Sequence, residues 1–167
     1  MNIGRILRHL CTPHRSVQWK FPASSMRAIG EAIRLSETRH SGQIRFAVES
    51  ALEVHPLFHG MSASARAGDV FAHLRIWDTE ENNGVLIYLL LADRHVEIVA
   101  DRGVHARTGA TGWEAICRRM EVSFRAGRFE AGVLEGIEAV TEILAREYPA
   151  TGKSANNELP DQPVVMG

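Results

Sequence analysis

Hard oxygen donors crowd two short stretches of this chain: Asp78, Glu80, Glu81, Asn82 and Asn83 in one, and Asp101 in the other. Carboxylate and amide oxygens of this kind suit calcium or magnesium rather than the softer metals. Their spacing is not that of an EF-hand, so a site built from them would bind with modest affinity. Asp101 is also the one candidate for a catalytic group, as ligand or base in metal-assisted attack on a phosphate. Just beyond it, Arg102, Gly103, Arg107 and Thr111 would supply guanidinium groups and helix-start amides to an anion. The competing reading is a solvated acidic loop whose Asn-Gly step only reverses the chain.

Whether these residues meet depends on the stretch from Gly84 to Gly103. Val85 through Leu91 form a continuous apolar run, too short to span a membrane and typical of a strand buried on both faces. Ala92, Asp93, Arg94 and His95 interrupt it. Val96, Ile98 and Ala100 then alternate with Glu97, Val99 and Asp101, the period of a second strand with one drier face. The connection is too short for a crossover, which predicts an antiparallel hairpin. Its two outer ends then lie side by side, bringing Asn83 toward Asp101. Asp93 and Arg94 fall at the opposite rim as a turn and an ion pair.

The remaining elements read as cover for this ribbon. Ser24 or Ser25 caps a helix with Met26, Ile29 and Ile33 on its stripe, running to about His40 before a stop at Gly42. Ile44, Phe46 and Val48 alternate with Gln43, Arg45 and Glu49 in a first strand. The stretch 50–61, broken by Pro56, reads as a loop or strand extension, and His55 and His59 lack the companions of a metal site. Ser62 caps a helix carrying Ala67, Val70, Phe71, Leu74 and Trp77 inward and ending near Asp78. The resulting strand, helix and strand make a βαβ unit, and the hairpin adds an antiparallel third strand. A loop through His105 and Gly109 leads to a helix with Thr111 and Glu114 at capping-box spacing. A last helix begins near Phe129 and buries Val133, Ile137, Val140 and Leu144 before Pro149. The expected architecture is an α/β/α sandwich around a mixed sheet.

Size and composition narrow the classes further. With 167 residues, 45% of them hydrophobic, the chain suits one core. Its segments divide into a basic, partly amphipathic arm (1–21), an α/β domain (22–149) and a tail (150–167) expected to be disordered or a docking peptide. The formal net charge of -1 offers nothing to nucleic acid as a whole. The two cysteines, Cys11 and Cys117, have no paired motif and read as ordinary thiols. Without an uninterrupted apolar N-terminal core or a long apolar run, the cytoplasm is the expected location. The arm, with Arg5, Arg8, Arg15 and Lys20 among Ile3, Ile6, Leu7 and Leu10, suits a weak contact with an anionic membrane surface on its inner face.

One succession is specific enough to suggest a family. Trp77-Asp78-Thr79-Glu80-Glu81-Asn82-Asn83-Gly84-Val85-Leu86, then Asp93-Arg94, then Arg102-Gly103-Val104, resembles the TPM-domain family. So does Phe124-Arg125-Ala126-Gly127-Arg128-Phe129 with Gly132. The family pattern shows a tryptophan closing a helix, an Asn-Gly-Val-Leu strand start, an Asp-Arg-like hairpin and a Gly-x-Gly-Leu exit, so Trp77, Gly84, Asp93 and Arg94 are its structural markers here. The resemblance covers roughly residues 25–148. It implies an α/β/α sandwich and a role that is poorly defined in most members; the expected function is a non-catalytic, protein-binding or regulatory module, with a metal-dependent acid phosphatase as the alternative. Calcium binding has been proposed for some members. One departure bears on any site: Asp101 stands where the first glycine of the exit motif is expected.

Overall fold

The computed structural model describes residues 3–150 and 157–166. Its centre is a four-stranded mixed sheet in the order β3-β2-β1-β4, with β1 at Gln43–Glu49, β2 at Gly84–Leu90, β3 at His95–Ala100 and β4 at Val164–Met166. β1 and β2 run parallel, and β2 and β3 form the expected antiparallel hairpin, with Val85 opposite Ala100 and Leu90 opposite His95. Arg94 turns the tip in a left-handed conformation, φ 49°.

Helices cover both faces. On one side Ile44, Phe46, Val48, Val85, Ile87 and Leu89 pack against α2 (Arg15–Lys20), α3 (Ala23–Ser36), α6 (Arg102–Thr108), α7 (Ala110–Arg125) and α8 (Phe129–Glu147). On the other, Ala47, Leu86, Tyr88 and Leu90 meet α1 (Ile3–Leu10), α4 (Val54–Phe58) and α5 (Ala63–His73). This is the three-layer sandwich. The alternation along β1 does not mark a wet face, however: Gln43, Arg45 and Glu49 are all buried, because α5 and the C-terminal segment lie over them. Glu49 is held there by Arg66 of α5 at 2.9 and 3.0 Å and by the Tyr88 hydroxyl at 2.5 Å. A buried charge persists only with such partners.

Local chemistry moved several boundaries. Pro22 rather than Ser24 or Ser25 precedes α3, and Ser25 bonds Glu130 of α8 instead. α3 ends at Ser36, short of His40. Pro56 sits in the first turn of α4, where its missing N–H costs nothing. α5 ends at His73, Ile76 takes the buried place, and Trp77 is half exposed. The expected loop through His105 is α6, and α7 begins behind Gly109 at φ 71°, so Thr111 caps nothing.

The described part of the tail is docked rather than disordered. Residues 157–166 return to the sheet, where Val164–Met166 pair in parallel with Ala47–Glu49. The backbone gains a ladder and Leu159 a buried seat, which together offset the ordering cost that made the segment look unstructured. Residues 151–156 and Gly167 of that tail, like Met1 and Asn2 of the arm, lie outside the described residues.

Candidate functional site

The hairpin register fixes the rim. Gly84 lies at the start of β2, and its carbonyl accepts the Asp101 N–H at 2.9 Å just past the end of β3. Gly84 has to be glycine: a Cβ there would come within 2.2 Å of the Ile76 carbonyl oxygen. Before it, Asn82 adopts φ 51°, a left-handed turn that asparagine tolerates well. Thr79 Oγ1 accepts the Asn83 N–H at 3.1 Å and tightens that turn.

Asn83 is buried, and its Nδ2 donates to the Ser41 carbonyl at 2.9 Å. Asp101 is equally buried at the start of α6, where Oδ1 accepts the Arg102 N–H at 2.6 Å. Each side chain keeps one oxygen without a protein partner, Asn83 Oδ1 and Asp101 Oδ2. A buried acceptor left this way costs on the order of 1–3 kcal/mol, more for a carboxylate. Gly103 allows the two segments to close on each other, since a Cβ at that point would lie 2.6 Å from the Asn82 carbonyl oxygen and 2.8 Å from the Tyr148 hydroxyl. Burial pushes that phenol's pKa up, and the Glu81 and Asp101 carboxylates add to it against the pull of Arg107.

The rim therefore gathers Glu81, Asn82, Asn83, Asp101 and Gly103, as the sequence led us to expect. It does not gather the rest. Asp78 is exposed and paired with Arg75 at 2.7 Å. Glu80 is exposed, with its N–H held by the Glu158 carboxylate at 3.0 Å. Arg107 stacks 4.4 Å over the Tyr148 ring and donates to the Glu147 carbonyl. Arg102 is exposed at the first position of α6 and Thr111 at the head of α7. Among the described residues no three His, Cys, Asp or Glu side chains converge as a metal cluster. Donors at this rim are the buried Asp101 carboxylate, the exposed Glu81 carboxylate, the Asn83 amide and main-chain carbonyls.

Ser41 and Tyr148 joined the site without any sequence signal. They arrive from the loop before β1 and from the end of α8, and only packing brings such distant segments together. Thr79 was legible in principle, four residues before the N–H it accepts.

The opposite rim holds a second cluster. Asp93 accepts from Arg5 at 2.9 Å and Arg8 at 3.3 Å, with His9 Nε2 3.1 Å away, and not from Arg94. His9 is buried, and its Nδ1 accepts the Leu52 N–H at 3.0 Å. That bond fixes a neutral ring with the proton on Nε2, directed at Asp93, and burial lowers the imidazole pKa accordingly.

Comparison with known proteins meets this geometry at one point. The TPM domain matches residues 21–143, which includes both sides of the Asn83–Asp101 rim. The chain belongs to the TPM-domain family. The NMR structure of BA42, a protein of the psychrophilic bacterium Bizionia argentinensis, superposes on this TPM protein with a TM-score of 0.76 at 31% identity. That likeness covers 87% of this chain and 95% of the other. The N-terminal domain of a P. gingivalis protein, also solved by NMR, shares the fold alone, with a TM-score of 0.60 at 17% identity over 83% of this chain and 93% of that one. No functionally curated protein matches the chain. Within the described residues, no helix of this TPM protein is long and apolar enough to cross a membrane.

Proposed function

We propose that this TPM protein is a non-catalytic module that acts through a protein partner and carries a weak divalent-cation site at the Asn83–Asp101 rim. The observation that supports it is the pair of buried acceptor oxygens without protein partners, Asn83 Oδ1 and Asp101 Oδ2, on adjoining segments beside the Glu81 and Asn82 carbonyls. Calcium or magnesium would satisfy both, and a single buried carboxylate sets the affinity low. The cation's role here is to tie the turn before β2 to the head of α6, stiffening one end of the sheet for a partner.

The test is titration of the full chain with calcium and magnesium, followed by amide NMR. Shifts confined to residues 79–84 and 101–104, abolished by Asp101→Asn, are the expected result. No shift up to millimolar of either cation removes the site. Turnover of a generic phosphate ester that disappears in Asp101→Ala would replace the non-catalytic reading by the hydrolase alternative.

A further inference from the structure

The edge of β1 that faces away from β2 is equipped for an extended chain. Gln43, 1% exposed at the first position of β1, accepts two successive N–H groups with one side-chain oxygen, from Glu158 at 2.9 Å and Leu159 at 3.0 Å. Arg45, two residues on, donates to the Gln162 carbonyl at 3.2 Å. Gly30 of α3 leaves room for Pro163, whose Cδ would touch an added Cβ at 3.4 Å. Leu159 is seated in the cluster of Ala47, Leu57, Ala67 and Tyr88. Beyond these anchors Val164–Met166 extend the sheet by three paired positions.

All the receptor residues lie within the matched TPM domain, and the occupying segment lies wholly outside it. Strand addition of this type draws affinity from the ladder and selectivity from side-chain seats. The seats here ask for a leucine, then an acidic residue, then a proline, then β-branched residues. Asp161 occupies the acidic position, with Arg45 and Arg34 as its cationic neighbours and Glu37 against it.

We infer that the outer edge of β1 is a peptide-binding groove, that residues 157–166 are its ligand in cis, and that a partner protein's extended segment of the same chemistry takes it in trans. This deepens the protein-partner reading and does not depend on the cation site. Three ladder positions, the side-chain bonds from Gln43 and Arg45 and the apolar seats of Leu159, Pro163, Val164 and Met166 hold the segment at the edge of the sheet, so it opens locally at lower free energy than the domain unfolds. Tethering gives it an effective concentration on the order of millimolar. The cis segment thus acts as a built-in competitor that a partner must outbind.

The experiment uses the isotope-labelled full chain with Leu159→Asp and Asp161→Lys together, which weaken the cis segment, and a synthetic peptide of residues 157–167 as probe. The amide signals of Gln43, Arg45 and Ala47–Glu49 should leave their wild-type positions in the variant and return as the peptide is added to millimolar. The peptide bearing the same two changes should leave them displaced, and the wild-type chain should need about ten-fold more peptide for any response. Signals that never return in an otherwise native spectrum overturn the groove, as does recovery with the altered peptide. If the variant does not fold, a full chain whose residues 151–156 are replaced by a specific protease site is cut after folding instead. Exchange of the released segment for added peptide, with the domain intact, supports the groove; collapse of the domain or a fragment that never exchanges overturns it. A wild-type dimer that grows with concentration and vanishes with Leu159→Asp would make a second copy the occupant, against the foreign segment we infer.

Discussion

Asp93 accepts from Arg5 and Arg8, with His9 Nε2 3.1 Å away, and so ties the N-terminal helix to the hairpin tip. Burial opposes its ionisation, but the bonds from Arg5 and His9 prevail and hold its carboxyl below the ordinary range. A depressed carboxyl contributes stability that is complete above its unfolded pKa and fades as pH falls through the folded one. Asp93→Asn should therefore cost about 1–3 kcal/mol near neutral pH and almost nothing in acid, with amide exchange in Ile3–Leu10 rising first. Equal loss at both pH values would contradict this. Glu37 behaves in the opposite sense. Burial raises its carboxyl to about 8, against the Ile44 N–H that it accepts and with Asp161 and Arg45 alongside. Its proton is retained in the fold from about 4.5, the ordinary value, up to about 8, so its contribution is full at low pH and is lost as pH rises across that window. Glu37→Gln keeps the bond to Ile44 and should flatten the fall in melting temperature between pH 5 and pH 9, roughly the span of that titration.

At the scale of elements, α5 is joined to the sheet by one polar contact among apolar ones. Arg66 grips Glu49, which is 1% exposed at its side chain, while Tyr88 donates from β2. Arg66→Met leaves that carboxylate short of its cation and should destabilise the chain by about 3 kcal/mol, at the lower end for a broken buried pair because Arg66 is itself partly exposed. Chemical denaturation reads this directly. Arg66→Met with Glu49→Gln should recover part of the loss, and no recovery would mean that α5 depends on packing alone. The hairpin's start is under a different constraint. Gly84→Ala would drive a methyl against the Ile76 carbonyl and should cost about 3 kcal/mol, whereas Gly68→Ala on α5, with open space around it, should be tolerated.

For the molecule as a whole, α1 and the C-terminal segment both contribute to one apolar cluster, α1 beside α4 and residues 157–166 along β1. α1 leaves Ile3, Leu7 and Leu10 exposed, with Arg8 on the same helix. That arrangement keeps the membrane-surface expectation open to a simple measurement. Co-sedimentation with anionic vesicles should fall at least about five-fold in Leu7→Glu and on raising salt to about 0.5 M, as interfacial helices do. Binding unchanged by either would end it.

Much of this molecule is legible in its sequence. The apolar run 85–91, the short polar break and the alternation behind it dictated the hairpin, and the hairpin dictated that Asn83 and Asp101 share a rim. Ladder geometry is local and follows from period and turn length. Folding in three dimensions decided the rest. Gln43, Arg45 and Glu49 carry the alternation of a half-wet strand, and their burial depends on α5 and residues 157–166 covering them from afar. Asp78 and Glu80 were as good oxygen donors as Asp101 on paper, yet nearby Arg75 and the exposed course of the chain kept them out of the rim. A side chain's neighbours across the fold, unlike its neighbours along the chain, are set by packing, and no spacing in the sequence records them.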